Sequence, residues 1–230
     1  MRVVSLVPSA TETLLALGVD VAACTRFCER PELPHVGGTK NPDVGAIVAL
    51  APELVVMDEE ENRLEDAEAL QAAGLALHVT AVRSVDAALA AVGELARATG
   101  RPPPPISVRI PAVVPDARRT AFMPIWRRPW MSVNADTYGA SVLASLGIDV
   151  VTADDPDRYP MVDLATIAAR RPDLVLVPSE PYAFTDEHVA ELTASVAGAD
   201  VRRVDGQDLF WWGIRTPAAR RRLRSAAATR

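Results

Sequence analysis

The chain has 230 residues, 49% of them hydrophobic and 23% charged, with a formal net charge of −6. That length suffices for one large α/β domain or for two lobes of about 100 residues each. The excess of 30 acidic over 24 basic residues excludes a general nucleic-acid binder, because gripping phosphates requires a surplus of Lys and Arg.

Met1-Arg2 leads directly into VVSLV, with no charged leader, long apolar stretch or cleavage site before it. No run approaches the ~18 apolar residues that a membrane helix needs. The expectation is a cytoplasmic chain without direct membrane insertion, periplasmic or extracellular only if a leader was removed.

The first predicted element is VVSLV (3–7), a short apolar run suited to a buried strand. SATE follows, with Ser9 and Glu12 at capping-box spacing. Leu14, Leu15 and Leu17 supply a helical stripe that Gly18 can stop in a left-handed conformation. VDVAAC (19–24) reads as the next strand. Cys24 and Cys28 frame CTRFC with no second Cys or His pair nearby, which reads as two free thiols rather than a metal site or a disulfide framework. In GGTKNPD, Asn41 is expected to cap a helix with Pro42 in its first turn, leaving Lys40 to face a ligand or water.

From Ala49, ALAPELVVMDEEENRLEDAEALQAAGLALHVT runs short helix, Pro, acid, strand, acidic loop, amphipathic helix, Gly, strand. Leu64, Ala67 and Leu70 share a face of that second helix. A further helix spans about Ser84 to Thr99, with Val85, Leu89, Val92 and Leu95 on one side and Gly100 at its end. RPPPPISVRIPAVVPDARR then places six prolines between Pro102 and Pro115. Proline fixes φ and removes donors, so this stretch is extended and semi-rigid.

The second half repeats the order of the first. TAFMPI (120–125) is a strand, DTYGASVLASLG (136–147) a helix and IDVVTA a strand. LGVDV (17–21) returns as LGIDV (146–150). From Ala168, AARRPDLVLVPSEPYAFTDEHVAELTASVAGADVRRVD repeats the series that begins at Ala49, with Val189, Leu192 and Val196 on the helix face. Strands alternating with helices imply parallel sheets. The fold class is therefore α/β: two Rossmann-like lobes, rather than one continuous sheet, with parallel sheets facing a shared cleft and a helix and proline-rich connector between them. The lobes are assigned to residues 1–100 and 120–230, the connector to 101–119.

Ligands of open parallel sheets bind beyond the carboxyl ends of the strands. In the first half this selects Pro8, Ser9, Lys40, Asp58, Glu60 and Asn62. In the second it selects Trp126, Trp130, Glu180, Tyr182, Phe184, Trp211, Trp212 and Arg215. All four tryptophans fall in these second-half loops, although only 5% of the chain is aromatic. Such rings bury flat ligand surface at low entropy cost. His35, His78 and His188 share no metal spacing and are assigned structural roles. No nucleophile elbow, P-loop or dinucleotide fingerprint occurs, so no catalytic residue is assigned.

RVVSLVPSATETLLALG, VGGTKNPDVGAIVALAPELVVMDEEENRLEDAEAL and the PSEPYAF segment resemble the helical-backbone metal receptor superfamily, the class III solute-binding proteins. TKNPD, EENR, IWRRPWM and the WWG tract resemble a leaderless, cobalamin-binding-like branch. The resemblance implies a non-catalytic receptor that grips a corrinoid such as cobalamin, or another metal chelate, between two lobes. The ligand's own chelator would enclose its metal, so the protein would need no metal ligands and no cofactor of its own. Importer-coupled members dock an ABC permease through an exposed Glu on each lobe. Those positions fall near Leu64 and Trp211 here, with Glu65 a substitute for the first. An aromatic that stacks on the corrin falls near Asp58, and the family's long connecting helix is replaced by the proline-rich stretch. Two other readings remain open on the sequence. One is a cytoplasmic enzyme or chaperone using Lys40, Glu60, Arg63, Glu180 and Arg215 on a small polar metabolite. The other is an interaction module that has lost ligand binding, with Trp211 and Trp212 as its contact patch.

Overall fold

The computed structural model describes residues 1–105 and 118–227. Most of the expected connector lies outside the described residues. Within 101–105 the chain follows the fourth helix without regular structure.

The first half contains β1 (Arg2–Ser5), α1 (Pro8–Ala16), β2 (Asp20–Cys24), α2 (Val44–Ala49), β3 (Leu54–Asp58), α3 (Leu64–Ala72), β4 (Leu77–Thr80) and α4 (Val85–Ala98). Its strands form a sheet in the order β2-β1-β3-β4, every pair parallel. The second half contains β5 (Arg119–Phe122), β6 (Trp130–Met131), α5 (Tyr138–Ala144), β7 (Ile148–Val150), β8 (Met161–Val162) and α6 (Leu164–Ala169). It continues with β9 (Leu174–Pro178), α7 (Asp186–Ser195), β10 (Asp200–Val204), α8 (Gly206–Phe210) and α9 (Thr216–Ala227). Read from β7, its main sheet has the order β7-β5-β9-β10, again all parallel. The two orders are the same order. The duplication visible in the sequence is thus a duplication of topology, and the fold is α/β with parallel sheets. An added antiparallel pair, β6 with β8, belongs to the second half alone.

The chain divides into two compact units. One holds Met1–Val82, α4 from Asp86 onward and Trp212–Ile214. The other holds Arg83–Val85, the chain from Arg118 to Trp211, and the residues from Arg215 on. Each has its own core. Val4, Leu6, Ala23, Val55, Met57 and Leu70 pack together in the first. Phe122, Ile167, Val175, Val177, Leu192 and Val196 do so in the second. Burying one such large side chain stabilises by about 1.5–3 kcal/mol.

The repeated tract A-x-x-P-[DE]-L-V has a physical explanation in both halves. After α2 the chain turns at Ala51 with φ 45°, and after α6 at Arg171 with φ 49°. Each is followed by a proline, which cannot continue the helix. The acid after the proline then accepts from the start of the neighbouring central strand. Arg2 N donates to Glu53 Oε2 at 2.6 Å, and Thr120 N donates to Asp173 Oδ2 at 2.6 Å. An aspartate caps each short helix, Asp43 toward Ala46 N and Asp163 toward Thr166 N.

Two local expectations need correction. Ser9 is not an N-cap: α1 begins at Pro8 after Val7, with no side-chain cap. Proline fits the first helical position because its φ is preset and its missing N–H would have no partner there. Asn41 is not the cap of α2, since that helix starts later and Asp43 holds the role. Gly18 does end α1 as expected, at φ 71°, with Val19 N donating to Leu14 O and Gly18 N to Leu15 O.

Candidate functional site

The C-terminal unit concentrates the expected residues at the carboxyl ends of β5, β9 and β10. Beyond β5 the chain folds into a tight hairpin. Ile125 N donates to Met131 O and Met131 N to Trp126 O, which leaves Arg127, Arg128, Pro129 and Trp130 as the loop. β6 continues that hairpin against β8, pairing Trp130 with Val162 and Met131 with Met161. Beyond β9, the segment 179–185 lies beside it. Arg203 fixes the far end of this segment, donating to Phe184 O at 2.9 Å and to Asp186 Oδ1 at 2.6 Å.

Together these loops make an aromatic shelf. Trp130 and Phe184 stack with centroids 5.8 Å apart and planes 7° from parallel. Tyr182 tilts against Phe184 at 4.8 Å, and Trp126 meets Tyr182 edge-on at 5.2 Å. His188 touches Trp130, Tyr182 and Phe184, and its Nδ1 accepts from Thr185 N in the capping box of α7. The rings grade from interior to surface. Phe184 is buried in the unit's core and Trp130 packs on it, so these two are partly structural. Trp126 is 44% exposed and Tyr182 half-buried, so the open surface belongs to them.

A second group grows from the same segment. Trp211 Nε1 donates to Glu180 Oε1 at 2.7 Å. Arg215 lies over the Trp211 ring at 4.9 Å and donates to Gln207 Oε1 at 3.0 Å. Gly206 makes this possible: a Cβ there would lie 2.5 Å from Glu180 Cγ and 2.6 Å from Glu180 N. The arrangement presents a carboxylate hydrogen-bonded to an indole, with a guanidinium lying over that indole, beside the shelf's own loop.

In the N-terminal unit the expected residues follow β1 and β3. Pro8 and Ser9 are buried in the first turn of α1. Asn62 is a buried tie: its amide donates to Leu6 O and Thr39 O, and its Oδ1 accepts from Asp58 N at 2.8 Å. Asp58 is buried beneath it, accepting from Glu60 N at 2.9 Å and from Thr80 Oγ1 at 2.7 Å. Burial raises the Asp58 carboxyl above the usual 3.8, against the pull of those donors. Lys40 reaches across to donate to Glu60 O. Trp212 does not join the shelf. It is 4% exposed within the N-terminal unit, where Ile214 N donates to Thr13 Oγ1 at 3.2 Å. A Cβ on Gly213 would lie 2.2 Å from that hydroxyl, so only glycine fits.

Sequence reading missed the hairpin's own cations. Arg127 lies over Trp130 at 5.2 Å and is paired with Glu191 at 2.7 Å. Two arginines between tryptophans in WRRPW were the available signal. Of the two family docking positions, Leu64 is 73% exposed at the start of α3, and Glu65 beside it pairs with Arg63. Cys24 and Cys28 are free and buried; Thr11 and Thr25 hydroxyls lie 3.3 Å from Cys28 Sγ. Among the described residues no three His, Cys, Asp or Glu side chains group as metal ligands, and no helix is long and apolar enough to cross a membrane. A cavity of about 370 Å³ beside α5, lined by Arg83, Asp136, Ser141 and Asp149 among others, contains none of the expected residues.

No protein-family model matches the chain. The vitamin B12-binding protein of Yersinia pestis (strain Pestoides F) is 22% identical to it over 192 residues, 76% of this chain and 69% of that protein. Among solved structures, the periplasmic vitamin B12-binding protein of Vibrio cholerae superposes with a TM-score of 0.79 at 17% identity, covering 98% of this chain and 95% of that one. The periplasmic heme-binding protein of Roseiflexus sp. RS-1 gives 0.79 at 23% identity, covering 98% and 97%. The chain therefore carries the fold of the periplasmic binding proteins, as its resemblance to the class III solute-binding superfamily implied.

Proposed function

We propose that the protein is a non-catalytic receptor for a planar metal chelate, a corrinoid such as cobalamin or a related tetrapyrrole. The observation that carries this reading is the aromatic shelf, with Trp126 open to solvent and braced by Tyr182. A ring system with two large apolar faces stacks on such a surface, and each indole contact contributes without loss of many rotamers. Glu180, Trp211 and Arg215 supply polar groups for a periphery of amides or carboxylates. That the relatives are named for binding vitamin B12 and heme supports the ligand class. Their description as periplasmic favours an exported location over a cytoplasmic one, and a permease partner belongs to the same reading.

The test is isothermal titration with cyanocobalamin, dicyanocobinamide and heme, repeated on Trp126→Ala. A saturable one-to-one isotherm is expected for at least one chelate, with affinity about tenfold or more weaker in the variant, consistent with loss of an aromatic anchor. Flat isotherms with all three would overturn the proposal.

A further inference from the structure

Cys24 and Cys28 are the chain's two cysteines, and the fold brings them together. Cys24 ends β2; Thr25, Arg26 and Phe27 then turn, and Cys28 N donates back to Thr25 O at 3.1 Å. The base of the turn is held by its neighbours. Cys24 N donates to Pro34 O, Val36 N to Cys24 O and Arg26 N to Gly37 O. Cys24 is fully buried and Cys28 is 2% exposed, while Phe27 between them is 49% exposed. The two thiols hydrogen-bond to one another. The hydroxyls of Thr11, from α1, and of Thr25 each lie 3.3 Å from Cys28 Sγ.

A buried cysteine used only for packing acts as a small hydrophobe and needs no polar company. Here the sulfur atoms are neighbours and the backbone between them is pinned at both ends. The Cys24 thiol, with the Thr11 and Thr25 hydroxyls, draws Cys28 down to about 6 against the opposing effect of burial, and the same thiol–thiol bond pushes Cys24 up. Cys28 therefore has thiolate character at neutral pH, and the thiolate is the reactive form of cysteine.

We propose that Cys24 and Cys28 are a covalent modification site, closing to a disulfide that ties the exposed turn carrying Phe27 to the end of β2. The oxidant is another disulfide, of the kind an oxidising compartment supplies. One protein thiolate attacks the oxidant's S–S bond, forming a mixed disulfide and releasing one oxidant thiolate. The second protein thiolate attacks the protein sulfur of that mixed disulfide and releases the other. Two protein thiols are oxidised, the oxidant is reduced to two thiols, and those thiols take up both protons. Because the folded pair is buried, exchange takes place as the turn forms, and burial then shields the bond from reduction. The inference rests on the receptor reading only for the compartment that supplies the oxidant.

The test refolds the whole reduced protein from guanidinium chloride in glutathione buffers of graded redox ratio. Free thiols are trapped with iodoacetamide and the products weighed by mass spectrometry, with the unfolded chain and the Cys24→Ser variant run in parallel. The refolded protein is expected to be two hydrogens lighter and unalkylated. It should reach that state at glutathione ratios about tenfold or more reducing than the unfolded chain needs, because the turn raises the effective concentration of one thiol toward the other. C24S should instead take up one alkyl group or one glutathione. Three outcomes would overturn the proposal: two alkylated thiols after refolding in excess oxidised glutathione, the same ratio for folded and unfolded chains, or loss of the far-ultraviolet circular dichroism in the oxidised protein. No chelate enters this experiment, so its failure leaves the receptor reading intact, and flat chelate isotherms leave the thiol pair's chemistry intact.

Discussion

Asp58 shows how a single buried carboxylate ties stability to pH. Burial raises its pKa above 3.8, so the folded protein holds that proton more tightly than the unfolded chain does. Asp58 thus favours folding most below pH 3.8, and that contribution falls as pH rises from 3.8 through the raised value, then levels off. Asp58→Asn keeps a carbonyl for Glu60 N and an amide for Thr80 while removing the charge. Urea unfolding at a series of pH values should show the variant gaining on the wild type across that window and holding its gain above it. A parallel pair of curves would refute the assignment. Gly206 is constrained differently, by space. A methyl there would collide with Glu180 backbone and side chain, so Gly206→Ala should cost about 1–3 kcal/mol in unfolding experiments. It should also weaken any ligand that uses Glu180 or Trp211, because the Nε1–Oε1 bond depends on that close approach.

At the scale of elements, strands were the most legible part of the sequence. LVVM (54–57) and LVLVP are uninterrupted apolar runs, and the strands that contain them are buried at every position. Helix starts were less legible, because a serine followed by an acid three residues on has the spacing of a cap whether or not the chain has already turned helical. In α1 the preceding proline set the start two residues earlier, with Val7 rather than Ser9 at the N-cap position. The elbows after α2 and α6 give an element-level prediction. Ala51 and Arg171 both hold positive φ, which costs an L residue roughly 1–2 kcal/mol, against about 0.5–1 kcal/mol of extra chain entropy for glycine. Ala51→Gly and Arg171→Gly should each be neutral to stabilising, by up to about 1 kcal/mol in denaturant titrations. A loss of more than that in either would mean the elbow depends on its side chain.

For the molecule as a whole, the duplication was readable because it rests on order and spacing, which survive sequence drift. The candidate site was readable only in part. Composition placed the tryptophans in the second half, but it could not sort Trp130 and Phe184, which pack toward a core, from Trp126, which does not. Nor could it show that Asp58 and Asn62 spend their polar atoms on holding loops together. Those distinctions depend on which face of a loop meets the sheet, and loops have no periodicity from which to read a face.

The unequal surroundings of the indoles have a practical consequence. Trp212, shut away from water, should emit at shorter wavelength than Trp126, which is largely hydrated. The protein thus carries a built-in reporter and a built-in reference. An absorbing guest that settles on the open ring would quench the red edge of the emission first, revealing where it sits without any attached label.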